Sequence, residues 1–306
     1  MKVLIATDKP FAKVAVDGIR KEVEAAGFEL ALLEKYTEKQ QLLDAVVDVD
    51  AIIIRSDIID AEVIDAAKKL RIVVRAGAGY DNVDLEAATD AGVCVMNTPG
   101  QNSNAVAELV FGLLVFAVRN FYNGTSGTEL KDKKLGIHAY GNVGRNVARI
   151  AKGFGMKLYA YDAFCSDELI QCDGVTPVSS VEKLYETCDI VSVNIPATAE
   201  TKKSINAELV NRMPKGGIIV NTARKEVINE AELVQLMETR TDIKYVTDIL
   251  PGNHAEMLEK FAGRYFSTPQ KMGAQTAEAN INAGIAAAAQ IVDFIKNGNQ
   301  RFRVNK

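Results

Sequence analysis

Leu135-Gly-Ile-His-Ala-Tyr-Gly-Asn-Val-Gly144 is the stretch on which the reading of the fold turns. Its apolar start predicts a buried strand. Ala139-x-Gly141-x-x-Gly144 predicts a tight turn opening onto a helix over Arg145–Phe154. A second apolar run, Lys157-Leu-Tyr-Ala-Tyr161, ends in Asp162. Strand, glycine turn, helix, strand and terminal acid follow one another in the order that binding a dinucleotide requires. Gly141 lets the backbone approach a pyrophosphate, and Gly144 lets the helix pack close to the strand. The helix N-terminus offers free N–H groups and partial positive charge to the phosphates. Asp162 would accept hydrogen bonds from ribose hydroxyls and repel a 2′-phosphate, which favours NAD over NADP. Ala139 stands where the fingerprint has its first glycine, so an ordinary βαβ unit is the plain alternative.

The rest of the 306 residues fits a globular protein large enough for two domains, 48% hydrophobic and 25% charged. A net charge of −4 supplies no basic field for nucleic acid or an anionic membrane. Met1–Thr7 predicts a first strand, too soon interrupted by Asp8 and Lys9 to be a signal peptide. The most apolar long segment, Ala105–Val118, still carries Glu108, so no membrane span is expected. Cys94, Cys165, Cys172 and Cys188 form no CxxC pair and no metal spacing, so no metal and a cytoplasmic location are expected.

Short apolar runs alternate with amphipathic helices along the whole chain. Strands are expected at Val3–Ala6, Glu29–Leu33, Ala51–Ile54, Ile72–Val74 and Val93–Met96, with helices such as Lys13–Ala26 and Ala61–Leu70 between them. A long helix is predicted over Ser103–Val118, followed by a turn-rich connector at 121–133. A second series then starts at Lys134–His138. It continues through Lys157–Tyr161, Val175–Pro177, Ile190–Val193, Gly217–Asn221, Ile243–Val246 and Arg264–Ser267. It ends in an alanine-rich helix, Ala277–Asn297.

Several strands run into polar loops. Arg224 follows Ile218–Asn221, and a guanidinium at a strand's carboxyl end can grip a carboxylate in a fork. Arg75-Ala-Gly77-Ala-Gly79 follows another strand, and its amides could cradle a carboxylate, although an ordinary turn would look the same. Arg55-Ser56 adds a cation at the end of Ala51–Ile54. Asp248 and Lys271 also follow strands, so Arg224, Asp248 and Lys271 are expected to share one rim.

At this point nearly the whole chain resembles the D-2-hydroxyacid dehydrogenase family. The likeness is carried by Ile54-Arg55-Ser56, Val74–Leu85, Val95–Gly100 with Asn102-Ser103, and Ala107-Glu108-Leu109. It continues through the glycine turn, Asn194–Pro196 with Glu200-Thr201, Asn221–Arg224, and Thr268-Pro269 with Gly273-Ala274. The first-domain loop and Arg55-Ser56 resemble its phosphoglycerate branch in particular. The resemblance implies an α/β fold of two doubly wound domains joined by helices at a cleft. One is a flavodoxin-like substrate domain (1–97 plus 283–306), the other a Rossmann NAD-binding domain (98–282). It implies reversible hydride transfer between 3-phosphoglycerate and 3-phosphohydroxypyruvate with NAD as cofactor, opening serine biosynthesis, in a homodimer.

Residue by residue, Arg224 matches the substrate-orienting arginine, and Ala76 and Gly77, in the loop Ala76–Gly79, the carboxylate-binding backbone. Arg55, Ser56, Arg75 and Asn102 match the phosphoryl region. Ala78, Ala139, Gly141, Asn142, Val143, Gly144, Asp162, Pro196, Thr201, Thr222, Ala223, Asp248, Gly273 and Ala274 match cofactor contacts. The departures concern proton transfer. The family's histidine after Thr-Pro is replaced: counting back from Gly273 reaches Lys271, counting forward from Pro269 reaches Gln270. The position of its partner glutamate holds Asn253. A carboxylate beside a lysine would hold the ammonium, so losing both together has a physical logic, and Lys271 is the expected catalytic group. His254 is the rival. The connector at 121–133 is short for the family, and the end at Lys306 leaves no room for a regulatory domain as an expectation. Other 2-hydroxy acids (glycerate, hydroxypyruvate) and a non-catalytic NAD(H)-sensing role are the alternatives. His138 is expected in the core.

Overall fold

The computed structural model describes residues 1–305. The chain forms two compact units, Met1–Asn102 with the segment from Thr276 onward, and Ser103–Gln275. In the first unit the elements are β1 (Lys2–Thr7), α1 (Lys13–Ala25), β2 (Glu29–Glu34), α2 (Lys39–Ala45), β3 (Ala51–Ile54), α3 (Ala61–Ala66), β4 (Ile72–Arg75), α4 (Leu85–Asp90) and β5 (Cys94–Asn97). All pairings are parallel, in the order β2-β1-β3-β4-β5, with the reversal between β1 and β3. Such a sheet is covered on both faces, which is why β3 is the unbroken apolar run Ala-Ile-Ile-Ile, buried throughout.

The second unit begins with α5 (Ser103–Val118) and a short turn at Asn120–Tyr122. It continues with β6 (Lys134–His138), α6 (Asn142–Gly153), β7 (Lys157–Tyr161), α7 (Asp167–Cys172), β8 (Thr176–Pro177), α8 (Val181–Thr187) and β9 (Ile190–Val193). It closes with α9 (Ala207–Asn211), β10 (Ile218–Asn221), α10 (Glu230–Thr239), β11 (Lys244–Thr247), α11 (His254–Lys260) and β12 (Tyr265–Ser267). The parallel order is β12-β11-β10-β9-β6-β7-β8. The chain winds outward from β6 through β7 to β8, then crosses to β9 and winds the other way. The switch point between β6 and β9 is where a doubly wound sheet receives its ligand.

α12 (Ala277–Asn297) returns to the first unit and packs beside α1, burying Ala283, Gly284, Ala287, Ala288 and Ile291. Close approach explains its small residues: a Cβ on Gly284 would lie 3.0 Å from Ile19 and 3.1 Å from Phe11. The sequence-based boundary at 282/283 cuts this helix, whereas the helix is continuous and lies whole in the first unit. Helix boundaries also move. α3 stops at Ala66 rather than Leu70, and α6 starts at Asn142 rather than Arg145 because extended Gly141 is its N-cap. Among the described residues, no helix is long and apolar enough to cross a membrane, and no cluster of His, Cys, Asp and Glu could hold a metal.

At the turn after β6, Ala139 takes a left-handed conformation (φ 77°). That is glycine's territory, and an alanine there costs on the order of 1 kcal/mol. A Cβ on Gly144 would lie 2.4 Å from the Ala139 carbonyl oxygen, a backbone atom that cannot step aside. Ala139→Gly should therefore be neutral to stabilising by about 1 kcal/mol, and Gly144→Ala destabilising by about 1–3 kcal/mol, in urea melts. Equal stability of Gly144→Ala and wild type would mean that α6 can withdraw from β6.

Candidate active site

Asp162, at the end of β7, has its carboxylate turned into the fold. Oδ2 accepts the Tyr140 N–H at 2.6 Å; Oδ1 accepts those of Phe164 at 2.7 Å and Cys165 at 2.9 Å. It clamps the glycine turn to the loop after β7, a load the sequence does not announce, and a ribose would meet the remaining lone pairs. Asn142 and Val143 begin the first turn of α6 behind Gly141, where N–H groups lack intrahelical partners. His138, before the turn, is 7% exposed with its ring edge-on to Tyr185, and burial pushes its pKa down to about 4. It is a core residue.

The rim of the second unit is tied together by buried amides and carboxylates. Asn221, fully buried at the end of β10, accepts the Ala223 N–H at 3.0 Å. Its own NH₂ donates to the Arg224 carbonyl at 3.1 Å and reaches the Tyr245 hydroxyl at 3.3 Å. The turn Thr222-Ala223-Arg224 is thereby fixed. Its Ala223 carbonyl oxygen accepts from Arg224 Nη1 at 2.8 Å and from Lys271 Nζ at 3.4 Å. Two exposed cations from distant parts of the sequence thus meet at one oxygen.

Asp248 follows β11 and is wholly buried. Its Oδ2 accepts the N–H groups of Gly273 at 2.7 Å and Met272 at 3.3 Å, which fastens the Lys271 loop. A Cβ on Gly273 would come 2.9 Å from that oxygen. Burial pushes the Asp248 carboxyl up, opposed by the Gly273 N–H and the charge of Lys271. Asp248 Oδ1 and Thr222 Oγ1 are buried without a hydrogen-bond partner among the described residues. A buried orphan acceptor is costly unless something arrives to satisfy it, and a carboxamide NH₂ would. These two atoms fit the nicotinamide end of the dinucleotide expected from the sequence. Thr201 closes the neighbouring loop, donating to the Pro196 carbonyl at 2.5 Å and accepting the Thr198 N–H at 2.7 Å.

The rival groups face elsewhere. His254 Nδ1 bonds the Tyr265 hydroxyl at 2.8 Å, and Asn253 donates to the Glu230 carbonyl at 3.3 Å. Gln270 uses its carbonyl to accept from Thr268 Oγ1 at 2.7 Å, and its side chain is exposed.

In the first unit, Arg55, Ser56, Arg75, Ala76 and Gly77 lie at the carboxyl ends of β3 and β4. Arg55 stacks over Phe11, and its Nη1 donates to the carbonyls of Lys9 at 2.9 Å and Pro10 at 3.2 Å. Arg75 Nε donates to the Arg55 carbonyl at 3.0 Å. Its guanidinium lies over Gly77 (φ 150°), where a Cβ would overlap it. The amides of Ala76 and Gly77 are spent on Ile54 O at 2.8 Å and Arg75 O at 2.9 Å. The open amides of the loop are those of Ala78 and Gly79, which have no acceptor among the described residues. Within the loop Ala76–Gly79 expected to cradle a carboxylate, these two amides are the ones left to do so. Asn102 is half-buried in the turn before α5, and Ala274 is half-buried after Gly273.

Residues 116–265 match the family described as D-isomer specific 2-hydroxyacid dehydrogenase, NAD binding domain. The chain is 34% identical over 277 residues to D-3-phosphoglycerate dehydrogenase of Methanocaldococcus jannaschii, covering 84% of this chain and 52% of that protein. It is 32% identical over 281 residues to hydroxypyruvate reductase of Thermotoga maritima, covering 86% and 90%. Among solved structures, NAD⁺-bound 3-phosphoglycerate dehydrogenase of Entamoeba histolytica aligns with TM-score 0.87 and 48% identity, over 100% of this chain and 99% of that one. The chain spans about half the length of the phosphoglycerate dehydrogenases it matches in sequence from M. jannaschii and rat.

Burial raises the pKa of Asp248, so its charged form weighs against the fold. The penalty is present above the raised folded pKa and disappears below the unfolded one. Asp248→Asn should therefore raise the melting temperature at pH 7 and weaken NADH binding, measured by fluorescence titration. A lower melting temperature would mean that the Gly273 and Met272 bonds outweigh the burial of the charge.

Proposed function

The chain belongs to the D-isomer specific 2-hydroxyacid dehydrogenase family, and from that premise we propose that it is an NAD-dependent D-3-phosphoglycerate dehydrogenase. It would interconvert 3-phosphoglycerate and 3-phosphohydroxypyruvate at the first step of serine biosynthesis, as a cytoplasmic homodimer. The observation that carries the reading is the meeting of Arg224 and Lys271 at the Ala223 carbonyl, beside the buried Asp248.

A bound nicotinamide supplies or accepts the hydride at C2. The glycine turn, Asp162, Thr222 and Asp248 are the groups that would hold the dinucleotide. The residues of the chain do the rest. The Arg224 guanidinium presents donors that suit a carboxylate fork and can polarise the adjacent C2 oxygen. Lys271, an ammonium donor at the same acceptor, delivers a proton to that oxygen in reduction and recovers it in oxidation. Substrate thus displaces interactions that both cations now make with a backbone carbonyl. Asn253 and His254, bonded to Glu230 and Tyr265, support Lys271 over the histidine.

The likeness to hydroxypyruvate reductase extends over 90% of that protein, which favours hydroxypyruvate as the second candidate substrate. NADH oxidation with phosphohydroxypyruvate, hydroxypyruvate and glyoxylate decides between them. The expected outcome is the highest kcat/KM on the phosphorylated acid, and no turnover of any 2-oxo acid would leave only a binding role. Lys271→Ala should lower kcat by about 10²–10⁴-fold with NADH affinity retained. Lys271→Arg should not rescue, because arginine does not release its proton. His254→Ala should keep most activity; its collapse beside an active Lys271→Ala would move the proton to the 251–256 loop.

A further inference from the structure

Asp57 is a carboxylate only 4% exposed, one residue beyond Ser56, and no motif singles it out. Its Oδ1 accepts the Asp8 N–H at 2.7 Å and the Tyr36 hydroxyl at 2.8 Å; its Oδ2 accepts the Arg55 N–H at 3.2 Å. Those donors leave the carboxyl ends of β1, β2 and β3, three adjacent strands flanking the reversal point of the sheet. One buried anion thus gathers three loops at the position where such a sheet receives a ligand.

The same residues fix Arg55 from every side. Its N–H is on Asp57, and its carbonyl accepts from Arg75 Nε at 3.0 Å and Asn82 Nδ2 at 3.3 Å. Asn82 also bonds the Asp57 carbonyl at 2.7 Å. The guanidinium spends both Nη1 protons on Lys9 and Pro10 and one Nη2 proton on Asn280, at 2.8 Å. Nε–H and the second Nη2–H have no acceptor among the described residues, two neighbouring donors of the kind that grips an oxyanion. Ser56, enclosed between Arg55 and Asp57, is exposed. Burial and the bond to Asp57 push the Tyr36 phenol well above its usual range, so it stays a donor at any working pH.

We propose that Asp57 is the positioning residue for phosphoryl recognition, holding the 55–57 turn so that the two remaining donors of Arg55 and the Ser56 hydroxyl meet a phosphomonoester. The inference rests on the phosphorylated-substrate reading above. Asp57 itself never touches the ligand; it acts through Arg55. An asparagine at this position cannot substitute, because either orientation of its amide sets an NH₂ against a backbone N–H, that of Asp8 or that of Arg55.

The test compares Asp57→Asn, Tyr36→Phe, Arg55→Met and the Arg55→Met/Asp57→Asn double variant, with phosphohydroxypyruvate and hydroxypyruvate as substrates. Asp57→Asn should raise KM for the phosphorylated substrate about tenfold or more, with KM for hydroxypyruvate and both kcat values nearly unchanged. Tyr36→Phe should have the same selectivity at a smaller size. With Arg55 already replaced, the added Asp57→Asn should cost no further selectivity. Equal losses on both substrates, or losses that multiply in the double variant, overturn the proposal. A separate arm keeps the two readings apart: the melting shift produced by inorganic phosphate, measured without turnover. If the wild type does not favour the phosphorylated acid, the substrate reading fails. Asp57 still stands if phosphate stabilises the wild type and not Asp57→Asn. No phosphate shift in the wild type, or an equal shift in both, overturns it.

Discussion

A parallel sheet has one edge at which every strand leaves it, and both units of this chain are built under that constraint. Residues far apart in sequence are delivered to a rim merely by lying at, or within a few residues of, the carboxyl end of a strand. Arg224, Asp248 and Lys271 follow β10, β11 and β12; Asp8, Arg55 and Arg75 stand at the ends of β1, β3 and β4. What the sheet does not provide is orientation. That comes from a few polar side chains, each bonded to more than one backbone group: Asn221 under the Arg224 turn, Asp248 under the Lys271 loop, half-buried Asp162 under the glycine turn and Asp57 under Arg55. Burying such groups is unfavourable unless their bonds are made, so each loop has one arrangement that satisfies its anchor and few that come close.

This division explains what could be read in advance. The alternation of apolar runs and amphipathic helices is a local property, and it places the strands of both sheets within a residue or two. The strand-end cations are legible for the same reason. The anchors are not. Nothing in Arg55-Ser56-Asp57-Ile58 distinguishes a buried aspartate from a solvated one, because its partners Asp8 and Tyr36 are contributed by other strands. The motif places Asp162 toward a ribose, and only the folded turn reveals that it is also a clamp. Which amides of the 76–79 loop are open, those of Ala78 and Gly79 among the described residues, is visible only once the ladder is formed.

The orphaned atoms at the second rim invert the usual logic of stability. A fold optimised only for its own free energy would not leave Asp248 Oδ1 and Thr222 Oγ1 buried without partners. Nor would it gather two cations around one backbone carbonyl oxygen, where they repel each other as well as bonding. Both features become favourable only with a ligand carrying an amide donor on one side and an anionic group on the other. Glu34 Oε1, Thr98 Oγ1 and Gln290 Oε1 are orphaned elsewhere, but only at this rim do two orphans lie beside two converging cations, a physical signature of binding that does not depend on relatives.

The position of α12 has a consequence for how the molecule is made. The second unit is one continuous stretch, so all its strands and their covering helices have emerged once residue 275 is synthesised. The first unit is begun earliest and completed last: the face of its sheet against which α1 lies is not fully covered until α12 arrives from the far end of the chain. During synthesis it must wait, with Ile19, Ile53 and Val74 incompletely covered, while the unit encoded after it can already fold. The second unit is therefore complete in sequence before the first. The side chain that completes the grip on Arg55, Asn280, is supplied in the closing step.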